Sequence, residues 1–155
     1  MESINKDFTQ VLSNEELKAT QLQLDTAVSE LIEIGQQKEQ VYGNKAELMK
    51  RARELQTEIQ LAESNAVMDI RGSGKDAYGV IGTRQIYLTN DTARDAYRRE
   101  ASRKEREEQA QVEGQLEKIN AELAKITDSF NTKAEVIRAL KAKASLQAAL
   151  LEYLS

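Results

Sequence analysis

Residues 71–97 read RGSGKDAYGVIGTRQIYLTNDTARDAY, and this stretch decides the fold. It holds four of the seven glycines and three of the five tyrosines, and a long segment of helical character lies on each side of it. Glycine accepts backbone conformations that other residues avoid, so a concentration of glycine between helical segments indicates a chain reversal. The stretch therefore predicts a tip at which one helix arrives, a small β-hairpin turns the chain, and a second helix leaves.

Two short strands are predicted within this tip, at residues 77–81 and 84–88, around a turn formed by Gly82 and Thr83. A glycine at the first central position of a two-residue loop is typical of a type II′ turn. A lone hairpin is only marginally stable in water, so the helix ends, or the hairpin of another subunit, must cover its apolar side chains. We expect the covered side chains to be Val80, Ile86 and Leu88.

The first helix is predicted over residues 14–71, after a leader at residues 1–13. Ser13 followed by Glu16 has the form of a capping box, and apolar residues then repeat with the spacing of a heptad. Gly72 and Gly74 follow the last repeat, where glycine is the usual signal for the end of a helix. Core positions of this repeat include Leu24, Leu31 and Ile34.

The second helix is predicted over residues 91–154, with Asn90 as its N-cap and Asp91 in its first turn. Its regular apolar stripe includes Leu116, Ile119, Leu123, Ile126, Phe130, Ile137, Leu140 and Leu151. Two long helices joined by a tip at residues 72–90 predict a mainly α fold. We expect residues 1–155 to form one domain, a long antiparallel two-helix coiled-coil hairpin with a small β-hairpin at the tip.

Further apolar residues lie off these stripes and predict a second contact surface. The first helix has four of them at positions outside its seam, Leu22, Val28, Ile32 and Met49. The second helix has Ala134, Ala142, Ala148, Ala149 and Leu150. We therefore expect the chain to associate with itself as a dimer or a higher oligomer.

The composition argues against an enzyme. The chain has no Cys and no His, so it lacks a thiolate nucleophile and the commonest general base and metal ligand. The sequence GSGK at residues 72–75 resembles a phosphate loop, but Asp69 and Asp76 occupy the positions where that motif needs Gly and Ser or Thr. We predict no catalytic residues, no metal site, no cofactor and no small-molecule substrate.

No segment reads as a signal peptide or as a membrane span, because the N-terminal residues lack a basic region followed by an apolar run. We therefore expect a cytoplasmic protein with no membrane partner.

Positive charge is concentrated around the tip, although the net charge is −4. Residues 50–106 carry 12 of the 22 Lys and Arg but only 9 of the 26 Asp and Glu, and nine of the ten arginines lie between Arg51 and Arg106. Arginines can neutralise phosphates while tyrosines stack on unpaired bases. The candidate nucleic-acid-binding residues are Arg71, Lys75, Arg84, Arg94, Arg98, Arg99, Arg103, Tyr78 and Tyr87.

A structural interpretation of the same residues stays open. Asp95 and Arg99, and likewise Glu100 and Lys104, have the i,i+4 spacing at which helical ion pairs form. The arginines would then belong to a solvated, salt-bridged helix, with Arg94 and Arg98 on one flank and Arg99, Arg103 and Arg106 on the other. Tyr97 is expected to pack under the hairpin.

The second helix opens with TNDTARDAYRREASRKER and ends through KASLQAALLEYL. With the preceding helix and hairpin, this layout resembles small coiled-coil proteins of the early gene modules of tailed bacteriophages, with Asn90, Arg94, Ala96 and Tyr97 as the motif-like residues. That resemblance implies a role in recombination, replication or counter-defence, and it implies the host cytoplasm as the compartment if the chain is encoded by a phage. The layout is also similar to a prefoldin-type chaperone subunit, in which a β-hairpin joins two long helices.

Three functions follow from these observations. The preferred one is a non-enzymatic oligomeric coiled-coil protein whose arginine-rich tip binds nucleic acid, with single-stranded DNA as the favoured ligand, in phage recombination or replication. The second is an inhibitor or adaptor that binds a host protein such as a nuclease or a defence complex. The third is a prefoldin-like chaperone.

Overall fold

The computed structural model describes residues 13–154, so the predicted leader lies outside the described residues except for Ser13. The chain is mainly helical and contains one antiparallel β-hairpin, which confirms the predicted fold class at this level. Its elements are helix α1 (Asn14–Met68), a 3₁₀ turn (Gly74–Asp76), strands β1 (Tyr78–Ile81) and β2 (Arg84–Tyr87), and helices α2 (Asp91–Ala101) and α3 (Arg103–Leu154).

The chain divides into two compact units. The hairpin unit comprises Gly43–Asn120, and the terminal unit comprises Met1–Tyr42 with Ala121–Ser155. In each unit a segment of α1 lies beside a segment of α3.

In the terminal unit the two helical segments run in opposite directions. The ammonium of Lys38 lies 5.6 Å from the centre of the Phe130 ring, and Glu30, earlier in α1, forms an ion pair with Lys133, later in α3. Side chains between the segments are almost fully buried, among them Ala27 and Ile137. At the start of α1, the amide of Glu16 donates to Ser13 Oγ at 3.1 Å, which confirms Ser13 as the N-cap.

The hairpin unit is also built on opposed helical segments. Arg51 of α1 pairs with Glu108 of α3 at 2.8 Å, and Leu55 is fully buried between them. All the predicted seam residues named above are buried or half-buried in both units. The predicted off-seam residues of α1 are exposed, with Leu22 at 68% and Ile32 at 57%.

Helix α1 ends at Met68, three residues before the predicted end at residue 71. The reason is that the backbone of Arg71 belongs to the sheet. Its amide donates to the carbonyl of Tyr78 at 2.9 Å, and the amide of Tyr78 donates back at 2.8 Å. Gly72 and Gly74, with φ of +78° and +60°, therefore shape the loop that this pair closes and do not cap the helix.

The hairpin has the predicted turn. Ile81 pairs with Arg84, which leaves Gly82 and Thr83 as a two-residue loop. Gly82 has φ of +61°, and no residue other than glycine has a positive φ among those described. A type I′ turn would need positive φ at both positions, so the turn is type II′, as predicted. The strands are one residue shorter at their open end than the predicted ranges, 77–81 and 84–88.

The two faces of the hairpin have different environments. The inner face carries Gly79, and a Cβ built on Gly79 would lie 2.3 Å from the ring of Tyr97. Side chains alternate along a strand, so Ile81 and Ile86 share this face and pack against the core of Ala66, Leu88 and Tyr97. Tyr97 is 2% exposed, which confirms the prediction that it packs under the hairpin.

Val80 does not lie where the sequence placed it. It was predicted to be covered together with Ile86 and Leu88, but it alternates with Gly79 and is 36% exposed on the outer face. The reason is the ring of Tyr97, which occupies the space beneath Gly79 and so fixes which strand residues face inward.

The predicted single helix over residues 91–154 is interrupted at Ser102, between α2 and α3. Ser102 is fully buried, and its hydroxyl lies 3.1 Å from the carbonyl oxygen of Arg98 and 3.2 Å from Glu63 Oε1. Bonding of a serine hydroxyl to the preceding turn bends a helix. At the other end of α2, Asn90 Oδ1 accepts from the amide of Ala93 at 2.8 Å, which confirms Asn90 as the N-cap.

Candidate nucleic-acid interface

One row of side chains on the outer face of the hairpin combines positive charge with aromatic rings. Arg71 lies opposite Tyr78 through an isolated bridge, and Tyr78 lies opposite Tyr87 across the two strands. Residues directly opposite in an antiparallel ladder project to the same face. Arg71, Tyr78 and Tyr87 therefore form a continuous row, which we call the Arg71–Tyr87 row.

The two rings of this row contact each other and remain accessible. Their centroids are 6.3 Å apart and their planes are inclined by 57°. Tyr87 is 59% exposed, whereas Tyr78, between its two neighbours, is half-buried. Val80 and Gln85 pair next to the row and share its face.

Several cations of the hairpin unit pair with no carboxylate of residues 13–154. No carboxylate of the described residues therefore lies within ion-pair distance of these cations. They are all exposed. Lys75 lies in the loop that Arg71 and Tyr78 close. Between residues 71 and 104 the group consists of Arg71, Lys75, Arg84, Arg94, Arg99 and Lys104.

The helical ion pairs differ from those predicted. Asp95 pairs with Arg98 at 2.6 Å and Glu100 pairs with Arg103 at 3.5 Å, so the expected partners Arg99 and Lys104 were wrong. Both observed pairs have i,i+3 spacing, which also brings side chains together on a helix surface. Asp95 therefore pairs with Arg98, and the side chain of Arg99 is left without the carboxylate partner that the sequence predicted for it.

The arginines of α2 and α3 lie on two flanks, as the sequence predicted. Arg98 faces an open groove along the end of α1, lined also by Gln60, Glu63, Ser64, Val67 and Met68. Arg99, Arg103 and Arg106 line a second groove with Thr92, Asp95, Ala96, Glu100, Glu107 and Ala110. The second groove contains as many carboxylates as guanidiniums, so it is a mixed-charge surface.

Arg84 does not join the Arg71–Tyr87 row. It pairs with Ile81 beside the turn, and alternation puts its side chain on the same side of the sheet as Gly79 and Ile86, where it is exposed at the end of the strand. Of the predicted residues, the structure thus brings together Arg71, Tyr78 and Tyr87 directly.

A polar cluster beside the site was not predicted. Glu63 of α1 forms an ion pair with Arg106 of α3, and Arg106 Nε donates to Ser102 Oγ at 2.9 Å. This cluster ties the α2–α3 junction to α1. A signal was available in the sequence, because Ser102 lies two heptads before Leu116 and so continues the apolar seam of α3, where a polar side chain needs a partner.

Two side chains in the hairpin unit have shifted pKa values. Burial raises the pKa of the Tyr97 phenol, and the charge of Asp69 adds to this. Its hydroxyl donates to the carbonyl of Ala66 at 2.9 Å. Hydrogen bonds to Glu108 and then Glu58 raise the pKa of Arg51. Neither group changes its protonation state near neutral pH, so both act as fixed structural contacts.

Within residues 13–154, no group of three or more acidic side chains is arranged to hold a metal ion. No helix in this range has both the length and the apolar composition needed to cross a membrane. No protein-family model matches the chain, and comparison with curated proteins and with solved structures gives no match.

Proposed function

We propose that the protein binds nucleic acid through the hairpin unit, without catalysing a reaction. The observation that carries this proposal is the group of exposed cations between residues 71 and 104 that pair with no carboxylate of residues 13–154: Arg71, Lys75, Arg84, Arg94, Arg99 and Lys104. Phosphate groups are the ligands that satisfy several such charges together. Binding through phosphates releases counterions, so affinity falls steeply as salt rises.

The role differs among the predicted arginines. Arg98 and Arg103 already pair with carboxylates of their own helices, so a phosphate must compete with these partners. Arg94 and Arg99 face no such competition among residues 13–154. We therefore assign more of the binding free energy to Arg94 and Arg99 than to Arg98 and Arg103.

The test is binding of labelled single- and double-stranded DNA across a salt series, measured by fluorescence anisotropy. Arg99→Gln should weaken binding to all sequences alike and lower the slope of log K against log salt by about 0.7 to 0.9, the value for one phosphate contact. Lys141→Gln is the control, because it removes one positive charge from the terminal unit at an exposed residue that, like Arg99, pairs with no carboxylate of residues 13–154. Absence of binding at low salt, or equal effects of the two substitutions, would contradict the proposal.

We also propose that the paired helical segments pack as coiled coils and that the protein associates with itself. Support comes from the heptad positions, which are buried or half-buried along α1 and α3. Further support comes from large apolar side chains that remain exposed, including Leu22, Ile32 and Leu146. The resemblance to phage early proteins favours a setting in recombination or replication.

One observation favours the second function, binding to a host protein. Outside residues 50–106 the chain carries 10 basic and 17 acidic residues, a net charge of −7. Such a surface could occupy a channel that normally holds nucleic acid. This function predicts a stable complex with a host nuclease or defence protein and no affinity for DNA in the salt series described above.

A further inference from the structure

We propose that the outer face of the hairpin is a platform for unpaired bases, so that the protein prefers single-stranded to double-stranded nucleic acid. The inference rests on the proposed function and names its ligand more closely. The Arg71–Tyr87 row would supply the base contacts, with Tyr87 as the principal stacking residue.

The first reason is that the fold does not use this face for its own stability. The inner face packs on Tyr97 and Leu88, which are each 2% exposed. The outer face carries Tyr87 at 59% exposed and Val80 at 36% exposed. Tyr87 and Val80 therefore leave apolar surface exposed on this strand pair, beside the half-buried Tyr78.

The second reason is the arrangement of the rings. A tilted pair with centroids 6.3 Å apart does not overlap face to face. Tyr87 therefore keeps a ring face available for a flat ligand, and Tyr78 supports the ring from the side. Every base has such a face, so stacking on a tyrosine tolerates any sequence.

The third reason is the charge beside the rings. Arg71 continues the row next to Tyr78, and Lys75 lies in the loop that Arg71 closes. Neither has a carboxylate partner among the described residues. A single strand placed along the row can stack a base and give its phosphates to these cations, which is the combination that single-strand-binding surfaces use.

Duplex DNA cannot use the same contact, because each base is stacked between its neighbours and exposes only its edges. A duplex would bind the cations of the hairpin unit without the tyrosines. Removal of Tyr87 should therefore affect only the single strand. Loss of one stacked base weakens binding by roughly 5- to 100-fold.

The experiment compares the affinities of wild-type protein, Tyr87→Ala and Tyr87→Phe for a labelled 20-nucleotide oligothymidine and for a duplex of the same length. We expect Tyr87→Ala to weaken oligothymidine binding by at least 5-fold and to leave duplex binding unchanged, while Tyr87→Phe retains both. Tyr153→Ala is the matched control, since Tyr153 is 85% exposed in the terminal unit. Thermal unfolding establishes that each variant is folded.

A second variant keeps the test independent of the alanine substitution. The chain contains no Trp, so Tyr87→Trp introduces a single tryptophan. Stacking of a base on its ring should quench the tryptophan emission when oligothymidine binds and should not do so when duplex binds. Unchanged emission, or equal loss of both affinities in Tyr87→Ala, would overturn the platform while leaving phosphate binding by the cations intact. Binding to neither ligand would overturn the proposed function itself.

Discussion

Gly79 and Tyr97 are the pair of residues that fixes the hairpin on the helices. A Cβ at Gly79 would lie 2.3 Å from two ring atoms of Tyr97, so Gly79→Ala forces the strand or the ring to move. Overpacking of this kind costs about 1 to 3 kcal/mol, and the short distance favours the upper end. Urea unfolding of the variant at neutral pH should give a lower free energy of unfolding by this amount.

Gly114→Ala is the matched control for that substitution. Gly114 lies in α3, and no atom lies within 4 Å of the Cβ that would be added. Alanine is the better helix former, so this variant should gain about 0.5 to 1 kcal/mol. If both variants shift stability in the same direction, the steric role of Gly79 is wrong.

The Tyr97 hydroxyl gives a second prediction at the same scale. Burial raises the pKa of this phenol in the folded state, so the fold favours its neutral form. That contribution is complete below the unfolded-state pKa of about 10 and is lost as the pH rises above it. Tyr97→Phe should lose about 1 kcal/mol at pH 7 with the hydrogen bond to Ala66, but it should depend less on pH than the wild type above pH 10.

Chemical denaturation of both proteins at pH 7 and at several values above pH 10 measures this difference. Titration of the other tyrosines and of the lysines is common to the two proteins and cancels in the comparison. Parallel curves for wild type and variant would mean that the phenol ionises as easily in the fold as in the unfolded chain.

The role of a single residue could be predicted from the sequence where that role depends only on its neighbours in the chain. Ser13 and Asn90 follow from capping chemistry alone. The need for glycine at position 79 could not be predicted, because it depends on a ring that lies 18 positions further along the chain. The predicted ion pairs of α2 were wrong for a similar reason, because one pattern of charges along a helix is compatible with both i,i+3 and i,i+4 pairs.

At the scale of elements, the junction of α2 and α3 depends on a polar cluster of Glu63, Ser102 and Arg106. The side chains of Glu63 and Arg106 are 24% and 43% exposed, so their ion pair is only partly screened by water. A double-mutant cycle with Glu63→Gln and Arg106→Gln should give a coupling energy of about 0.5 to 1 kcal/mol at low salt. The coupling should decrease in 1 M salt.

The pair of Glu135 and Arg138 is the control for this cycle. Both side chains are mostly exposed, at 68% and 75%, and such pairs couple by less than about 0.5 kcal/mol. Equal coupling in the two cycles would mean that the cluster at Ser102 does not hold the junction to α1.

The extent of each element was predicted less well than its existence. The heptad pattern identified both long helices, and the glycine at position 82 identified the turn type. The predicted end of α1 was wrong because the backbone of Arg71 can bond either to the helix or to Tyr78. Only the three-dimensional fold determines that Tyr78 is the partner. The interruption at Ser102 was missed because a serine hydroxyl does not always bond to the preceding turn, and the burial of Ser102 beside Glu63 of α1 depends on the three-dimensional fold.

At the scale of the whole molecule, the proposed self-association makes a direct prediction. Ile32 of α1 is 57% exposed, and burying such a side chain fully stabilises an interface by about 1.5 to 3 kcal/mol. Sedimentation equilibrium at micromolar concentration should give a mass above the 17.4 kDa of one chain. Ile32→Lys should shift the equilibrium toward a single chain.

Gln36→Lys is the control. Gln36 is exposed on the same helix, and its substitution adds the same positive charge without removing an apolar side chain. A mass of one chain for the wild type would remove the proposal of self-association. Equal shifts for both substitutions would assign the effect to charge.

The molecule's function is less predictable from sequence than its fold. The excess of arginine between residues 51 and 106 predicted where the exposed cations lie, but it did not separate Arg99, whose side chain pairs with no carboxylate of residues 13–154, from Arg98, which pairs with Asp95. It also did not place Arg71 beside Tyr78 and Tyr87, because that row depends on strand register.

The outer face of the hairpin also has a consequence for variation. Residues such as Arg71 and Tyr87 hold the sheet through their backbone positions, while their side chains point to solvent. The fold therefore places few demands on which side chains they carry. Mutational drift could change the ligand of this face without cost to the scaffold, and a laboratory library randomised at Arg71, Tyr78, Val80, Gln85 and Tyr87 should yield folded proteins with new specificities.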